Sequence, residues 1–594
     1  MIFGKHINRY YLRYLPMLLM GIAALLAVDY FQLIIPSLYQ MVINGMNTGQ
    51  VMVNGAAVPF DMDFLMNQIC LPMVRVVMIL IAGRFTWRIC FFGAGVRAEE
   101  DLRNRMFSHC RSLGRSFYNQ NNVGNLMSLF TNDLETFQES YGWGIMMFCD
   151  ALFLFIMAVY KMWRMNALLT GLSLIPMALL LFCSVVVGRA MERKWDYRQK
   201  TFSDLSDFSQ ESFSGISVVK AFVKEAVELM NFKKLSQENE RANVDFTRAS
   251  VLLRILVTLF VESVICVILG YGGYLVYKGG FNAGQLVEFI GYFNAIVWPI
   301  MAVSELIDLT SRGKASLKRI SELLDAQPDM VDRPDVVSMK NIRGDIEFRN
   351  LTFRYPDGEF DSLENVSFAI KAGENIGLVG KTGSGKTTIA DLLVRTYNVP
   401  DGTVFIDGRD VNTIPIKDVR AGCAYVPQEN FLFSDTITNN IGFGVDEKSM
   451  AAITKAAALA SVDSNIRDFS LGYNTVLGER GVTVSGGQKQ RISIARALMM
   501  DAPILILDDS VSAVDTRTEK TILDNLRTTR QGKTTLLIAH RISTIERMDR
   551  ILFIDQGRVV AFGKHEDLYE TCPDYRKMVD LQRLEEEGGE HNNG

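Results

Sequence analysis

The sequence predicts two joined folds. The first is a membrane α-helical bundle of six transmembrane helices with long cytoplasmic extensions. The second is an α/β domain built around a phosphate-binding loop. Three observations carry this. Six apolar stretches in the first half are each long enough to cross a bilayer, which takes about 20 residues. Lys and Arg collect in the loops on one side of those stretches. In the second half, GKTGSGKTT at 380–388 sits between an apolar strand and a helix, and ILILDDSVSAVD at 504–515 ends a second apolar strand on two aspartates. Composition agrees: 48% of the 594 residues are hydrophobic, and the mean hydropathy of +0.13 is high for a soluble chain. The formal net charge is only −4, so no nucleic-acid partner is implied. Eight cysteines are scattered without CxxC or metal spacing. Those in apolar runs (Cys149, Cys183, Cys266) read as buried thiols rather than disulfides.

Residues 1–15 form a basic elbow segment, with Lys5 to Arg13 ahead of the first apolar run. The spans are placed near 16–42, 68–95, 140–162, 166–188, 250–277 and 284–308, and the whole transmembrane domain at 16–310. No small-residue cleavage site follows the first run, so it reads as a span and not as a signal peptide. The loop 44–67 has no Lys or Arg, while 97–139 and 189–249 have many. The basic loops, the N-terminus and the second domain are therefore expected in the cytoplasm. Both basic segments are rich in helix formers and poor in Pro. A helix from about Asn166 to Phe208 would run roughly 65 Å at 1.5 Å per residue. The hydrocarbon core is about 30 Å thick, so the excess projects as a stalk. Two breaks, YNQNNVGN at Tyr118–Asn125 and FSGIS at Phe213–Ser217, lie midway between descending and ascending helices. Asp29, Arg75, Arg84, Asp150, Arg254, Glu262 and Glu288 lie in or near the spans. A charge at the bilayer centre costs on the order of 3 kcal/mol, so these side chains should face the bundle interior or a water-filled cavity. Two readings stand side by side. Asp29, Asp150, Glu262 and Glu288 give a substrate pathway an acidic character, or they pair with the arginines between helices. The many Phe and Met residues suit an adaptable apolar cavity and lipid-facing packing equally.

Residues 311–341 link the last span to the second domain. SRGKASLKRISELLDAQPDM reads as a helix ending near Gln327–Pro328, and the alternation of DIEFRNLTF reads as a strand. The α/β domain is placed at 342–584, and the acidic, glycine-rich tail 585–594 is expected to be disordered. Gly380, Gly385, Lys386 and Thr387 fit G-x-x-x-x-G-K-[ST], entered by the strand Asn375–Val379 and left by a helix from Thr388. Glycines let backbone N–H groups close around phosphate oxygens, Lys386 reaches the β- and γ-phosphates, and Thr387 holds Mg²⁺. The binding loop is therefore Gly380, Lys381, Thr382, Gly383, Ser384, Gly385, Lys386, Thr387 and Thr388. The strand Pro503–Leu507 puts Asp508 at its C-terminal end, where parallel α/β sheets hold ligands and where a Mg²⁺-holding Asp belongs. VSGGQKQR at Val484–Arg491 adds a second anion site, with Ser485, Gly486, Gly487 and Gln488 opening a helix. One phosphate chain cannot use both sites of one molecule if they lie far apart. The natural solution is a head-to-tail dimer, with ATP between one chain's Gly380 loop and the other's Ser485 loop. No internal repeat is visible, so a second chain is expected.

Alone, SGGQ reads equally as an ordinary helix start. Between the Gly380 loop and the Asp508 strand, it resembles the signature motif of ABC transporters. The N-terminal half resembles the membrane half of their type IV exporters, so the likeness spans nearly the whole chain. The resemblance implies further roles. Tyr355, in FRYP, resembles the aromatic that stacks on adenine. Gln428, in VPQEN, resembles the Q-loop residue that contacts Mg²⁺ and water. LGERG at Leu477–Gly481 resembles the exporter-specific segment before the signature, and SAVD at Ser512–Asp515 resembles the D-loop. His540, in IAHR, resembles the switch histidine that senses the γ-phosphate. The implied catalytic residues are Asp509, Gln428 and His540. The implied metal ligands are Thr387, Gln428 and Asp508, with ATP and Mg²⁺ as cofactors. The two helix breaks resemble coupling helices that dock on nucleotide domains; by themselves they are plain helix–helix turns.

One departure stands out. Asp509 occupies the place where the family usually has Glu, the base that activates the attacking water. Losing one C–C bond removes about 1.5 Å of reach, and misplacement by about 1 Å can cost on the order of 10²-fold in rate. This site is expected to bind ATP well and hydrolyse it slowly. Val484 also departs, where Leu is commoner, but Ser485–Gln488 is intact. In heterodimeric bacterial multidrug ABC exporters one subunit shows this combination, and residues 270–300 resemble the fifth-to-sixth span region of those subunits. The resemblance therefore implies a heterodimer with a second half-transporter, with a homodimer as the alternative. It implies export of drugs or other amphipathic small molecules or peptides. The setting is a bacterial cytoplasmic (inner) membrane, the chain multi-pass in the lipid bilayer and its ATPase domain in the cytoplasm. Rival readings are a lipid or peptide exporter with the same engine, or a regulatory subunit that binds ATP without hydrolysing it. The retained Gln428 and His540 weigh against the last.

Overall fold

The computed structural model describes residues 4–53, 56–478, 481 and 483–591. The chain divides into two compact units, one of residues 1–110 and 124–325, the other of 111–123 and 326–594.

The first unit is helical apart from one hairpin. After a short helix, Asn8–Arg13, the first expected span is two helices, Leu15–Gln32 and Ile35–Thr48. Pro36 lies in the first turn of the second piece and has no N–H to continue the ladder. The break frees the Leu33 carbonyl, which accepts from Lys161 Nζ at 3.1 Å. The loop that follows, free of Lys and Arg, forms an antiparallel hairpin, Gln50–Val53 with Ala56–Pro59. Among the described residues, five helical stretches are long and apolar enough to cross a membrane: Leu15–Thr48 taken across its break, Met62–Cys110, Val123–Met165, Glu225–Tyr277 and Ala283–Asp325. The fourth expected span lies on the helix Ala167–Ser214, where the described apolar run is Ala167–Leu180. Ala167–Ser214 and Glu225–Val267 are 48 and 43 residues long. A span needs about 20, so both overshoot a bilayer as stalks. Gly215 ends the first of them before a short helix, Ile216–Ala221. At this tip Phe213, Phe222 and Val223 are 75%, 71% and 80% exposed. The last span and the helical part of the linker are one helix, Ala283–Asp325.

The charges read into the spans are held differently from one another. Asp29 and Glu288 are buried, whereas Arg75, Arg84, Arg254 and Glu262 are exposed. Asp150 lies beside Asp29 and accepts from Trp298 Nε1 at 2.8 Å. Glu288 accepts from the Tyr292 hydroxyl at 2.7 Å, and Arg84 reaches Gln32 Oε1 at 3.2 Å. Asp29 and Asp150 therefore form a pair, and Glu262 takes no part in a buried acidic array.

The second unit carries two sheets. The larger has the order Arg558–Gly563, Arg550–Asp555, Asn375–Val379, Thr534–Ile538, Ile504–Asp508, Cys423–Val426, parallel throughout except for its first strand. Both faces are covered, so the inner strands read as continuous apolar runs. Alternate side chains go to separate cores, Leu505 and Leu507 to one and Ile504 and Ile506 to the other, as the two-residue period of a strand requires. The smaller sheet is antiparallel, in the order Leu363–Ile370, Ile346–Phe353, Val404–Ile406, Arg409–Asp410. The alternation read in DIEFRNLTF is interrupted between Phe348 and Leu351 by a register shift, where Asn350 has φ 44. The final helix, Pro573–His591, continues into the tail expected to be disordered; residues 592–594 lie outside the described residues.

Candidate functional site

Strand register builds the site. Ile538 pairs with Leu378 on one side and with Asp508 on the other, so three neighbouring strands end level. Ala539 N–H donates to Leu378 O at 3.2 Å, and Asp509 N–H donates to Ile538 O at 2.9 Å. One sheet edge thus gathers the loop from Gly380, the pair Asp508–Asp509, and His540. The next strand, Cys423–Val426, leads to Gln428. This is the edge where parallel α/β sheets hold ligands.

The loop is tight where its glycines require it. A Cβ on Gly380 would lie 2.0 Å from the Ile554 carbonyl oxygen. Gly385, at φ +96, would bring one to 2.7 Å from the Ser362 carbonyl oxygen. The helix Lys386–Leu393 starts there. Lys386 is 6% exposed and donates to Gly380 O at 2.9 Å and Lys381 O at 2.8 Å. Burial pulls its pKa below the ordinary lysine value, and the charges of Asp508 and Asp509 oppose that. Asp508 is 1% exposed. Burial pushes its carboxyl above the usual range, against a hydrogen bond from Thr387. Ser384 Oγ and Asp508 Oδ2 are both buried without a hydrogen-bond partner. Such orphans are uncommon. Beside a buried ammonium they fit a Mg²⁺–nucleotide: Ser384 would donate to a phosphate oxygen, and Asp508 with Thr387 would hold the cation. Among the described residues no group of three His, Cys, Asp or Glu side chains could hold a metal. Mg²⁺ commonly binds through one or two carboxylates plus phosphate oxygens, so the donor set suits it.

The remaining expected site residues divide. The Tyr355 hydroxyl is 2.9 Å from Thr388 Oγ1, and its ring stands edge-on to Phe353 and Tyr397, each 5.1 Å away. The fold therefore brings Tyr355 to the loop. Lys381 and Thr382 are exposed, and Lys381 pairs with Asp555 at 3.5 Å. Gln428 is exposed and His540 half-buried. Asp509 is half-buried with φ 46; its carbonyl accepts from Ser512 Oγ at 2.9 Å and Gln490 Nε2 at 3.3 Å.

Ser485–Gln488 makes a local unit. Ser485 Oγ accepts from Gln488 N–H at 3.3 Å, and Gln488 Oε1 accepts from Ser485 N–H at 2.9 Å. This is a capping box, and it opens the helix Gly486–Met499. Ser485 and Gly486 are exposed, so the helix N-terminus is presented outward. A Cβ on Gly487 would lie 2.9 Å from Ala513 O, which ties this glycine to the D-loop. Of LGERG, Glu479 and Arg480 lie outside the described residues.

Some neighbours of the site carry no sequence signal. Segment 111–123 belongs to the second unit. There Arg115 pairs with Asp391 of the loop helix at 3.4 Å, and Asn119 Nδ2 donates to the Tyr397 hydroxyl at 3.2 Å. Burial raises the Asp391 carboxyl pKa and Arg115 opposes it. The segment read as a helix break therefore lies one side chain away from Tyr355.

Comparison with known proteins agrees with both halves. Residues 18–300 match the family model described as the ABC transporter transmembrane region, and residues 363–512 match the model described as ABC transporter. The chain is 34% identical, over 99% of its length and 98% of the relative's, to a probable multidrug resistance ABC transporter ATP-binding/permease protein, YheI, of Bacillus subtilis. It is 33% identical to the multidrug resistance-like ATP-binding protein MdlA of Escherichia coli, covering 95% of this chain and 94% of that one. An ATP-dependent lipid A-core flippase of Syntrophus aciditrophicus is 34% identical over 88% of this chain and 86% of its own. Among solved structures, a bacterial Atm1-family ABC exporter with ATP bound superposes with a TM-score of 0.77 at 26% identity, covering 98% of this chain and 99% of that one.

Proposed function

The chain belongs to the ABC transporters, as an exporter half with one membrane domain and one ATPase domain, and we propose that it works as the slow-site subunit of a heterodimer. Its relatives include multidrug transporters and a lipid flippase, so ATP-driven export is its activity and a bacterial membrane its setting. The finer reading rests on Asp509. Its backbone is tied by its N–H to Ile538 and by its carbonyl to Ser512 and Gln490. A carboxylate about 1.5 Å short cannot recover its reach by sliding forward. A positioned base contributes roughly 10²–10⁴ in rate, so the site of Lys386, Asp508 and Asp509 holds ATP with Mg²⁺ and turns it over slowly. Gln428 and His540 complete it, and Tyr355 receives the adenine. The ordered capping box at Ser485–Gln488, facing outward, supports a different duty for this chain's signature: it completes the partner's competent site.

In this account ATP closes the two ATPase domains, the stalk helices transmit closure, and the cavity turns outward. The exposed Phe213, Phe222 and Val223, gathered at the tip of one stalk, support docking on a second chain, since exposed apolar patches mark interaction sites. The transported compounds are drugs or other amphipathic molecules; the lipid flippase relative keeps lipid export as the second reading. The test is ATPase activity of the purified chain alone and together with the product of a neighbouring transporter gene. Slow turnover alone and fast turnover together are expected. Full activity of the chain alone would sink the heterodimer. Uptake of a labelled amphipathic drug against a labelled lipid in reconstituted vesicles separates the two substrate classes.

A further inference from the structure

The segment that carries His540 is gripped from two sides by residues outside every motif. Gln582, on the final helix, donates from Nε2 to His540 O at 2.8 Å and accepts at Oε1 from Ile542 N–H at 2.8 Å. One side-chain amide thereby closes the backbone groups on both sides of Arg541. From the other side comes Glu519, 7% exposed, on the helix Thr516–Thr529 that follows the D-loop. It accepts from Thr544 Oγ1 and pairs with Arg541 at 3.9 Å. Before the histidine, Ala539 is fixed in the sheet through Leu378. The backbone of His540 is thus suspended between the sheet and the Gln582 amide.

We propose that Gln582 is a positioning residue for the switch histidine: by pinning His540 O and Ile542 N–H, the final helix sets the imidazole for the γ-phosphate. The proposal rests on the reading of His540 as the γ-phosphate sensor. Gln is suited to the task because it offers a donor and an acceptor on one planar group. Glu at this place keeps the acceptor for Ile542 N–H and turns an oxygen on the His540 carbonyl. The final helix does not depend on Gln582 for its seat. Tyr575 and Val579 are fully buried in the core, and the Tyr575 hydroxyl is 2.8 Å from His565 Nδ1.

The experiment uses the full chain purified with its partner subunit. Displacement of a fluorescent nucleotide from the Gly380-loop site yields the ratio of ATP to ADP affinity, with the melting temperature measured in parallel. His540→Ala should lower the ratio. Gln582→Leu and Gln582→Glu should lower it by about tenfold, a fraction of the penalty for misplacing a reacting group by about 1 Å. ADP affinity and melting temperature should stay near those of the parent. Adding Gln582→Leu to His540→Ala should cause no further loss, because the two act through one imidazole. An unchanged ratio in both Gln582 variants while His540→Ala responds overturns the proposal alone. So does equal weakening of ATP and ADP, or additive loss in the double variant, since either marks a general structural role. An unchanged ratio in His540→Ala removes the reading of His540, and the proposal with it.

Discussion

Asp508 and Asp509 are adjacent in sequence but opposite in circumstance. Asp508 is sealed, with Oδ2 lacking a partner, while Asp509 is half-buried on a backbone bonded at both ends. For Asp509, restoring the missing methylene should restore reach. Asp509→Glu is expected to raise turnover at this site by on the order of 10²-fold, measured as ATPase activity of the assembled transporter. An unchanged rate in a verified heterodimer would count against Asp509 as the limiting defect. For Asp508 the sign follows from burial, which lifts its carboxyl above the ordinary carboxylate range. The folded chain then binds that proton more tightly than the unfolded chain. Stability is lost as pH rises from the ordinary value through the raised one. Asp508→Asn should therefore stabilise the nucleotide-free protein at neutral pH, read as a raised melting temperature. It should also abolish the extra thermal shift that Mg²⁺ adds to ATP. A lower melting temperature for the nucleotide-free variant would contradict this account.

Among the elements, the signature helix and the D-loop behave as one piece. Gln490 is 7% exposed. It donates to Asp509 O at 3.3 Å and to Ser512 Oγ at 3.4 Å, and accepts from Ala513 N–H at 3.0 Å. Gln490, on the helix that Ser485 opens, therefore ties that helix to the Asp509 backbone and to the Ser512–Ala513 turn through a single side chain. Gln490→Leu removes three hydrogen bonds and leaves the Ala513 N–H without its acceptor, a loss of about 1–3 kcal/mol. It should appear as a lowered melting temperature; an unaltered one would mean the strut is slack. The broken first span shows how much of an element is legible. Its apolar run at 16–42 is plain in the sequence, but it reads there as one unbroken span, where the structure has two helices. That Lys161 caps the freed Leu33 carbonyl is not legible there either, because those residues meet only when two helices pack.

At the scale of the whole molecule, one chain supplies one loop of the Gly380 kind and one signature. If labour is divided as proposed, the two motifs are not equally costly to lose. Ser485→Ala should depress turnover of the assembled transporter more than Asp509→Ala, because the first touches the fast site and the second the slow one. The reverse order would sink the assignment of sites. Asp29 and Asp150 belong to this scale too. They come from helices far apart in sequence and meet side by side, an arrangement open to either a pathway or a packing role. Measuring transport of cationic and neutral amphiphiles after Asp150→Asn would separate the two: loss confined to cations marks a pathway.

By itself the sequence determined that a membrane half precedes an ATPase half, and it singled out the strands and the runs Gly380–Thr388, Ser485–Gln488 and Asp508–Asp509 as the candidate site. These are short contiguous runs whose chemistry demands particular residues at fixed backbone spacing, so the demand is written into neighbouring positions. It also placed the stalk helices, since length and apolar content along one helix are local properties. Only the tertiary structure decided which strands end level, that Arg115 meets Asp391, that Gln490 props Asp509, and that Gln582 holds His540. Those contacts join residues from 19 to 276 positions apart. They arise from packing of elements against one another, and a linear pattern of polar and apolar residues keeps no record of which elements will meet.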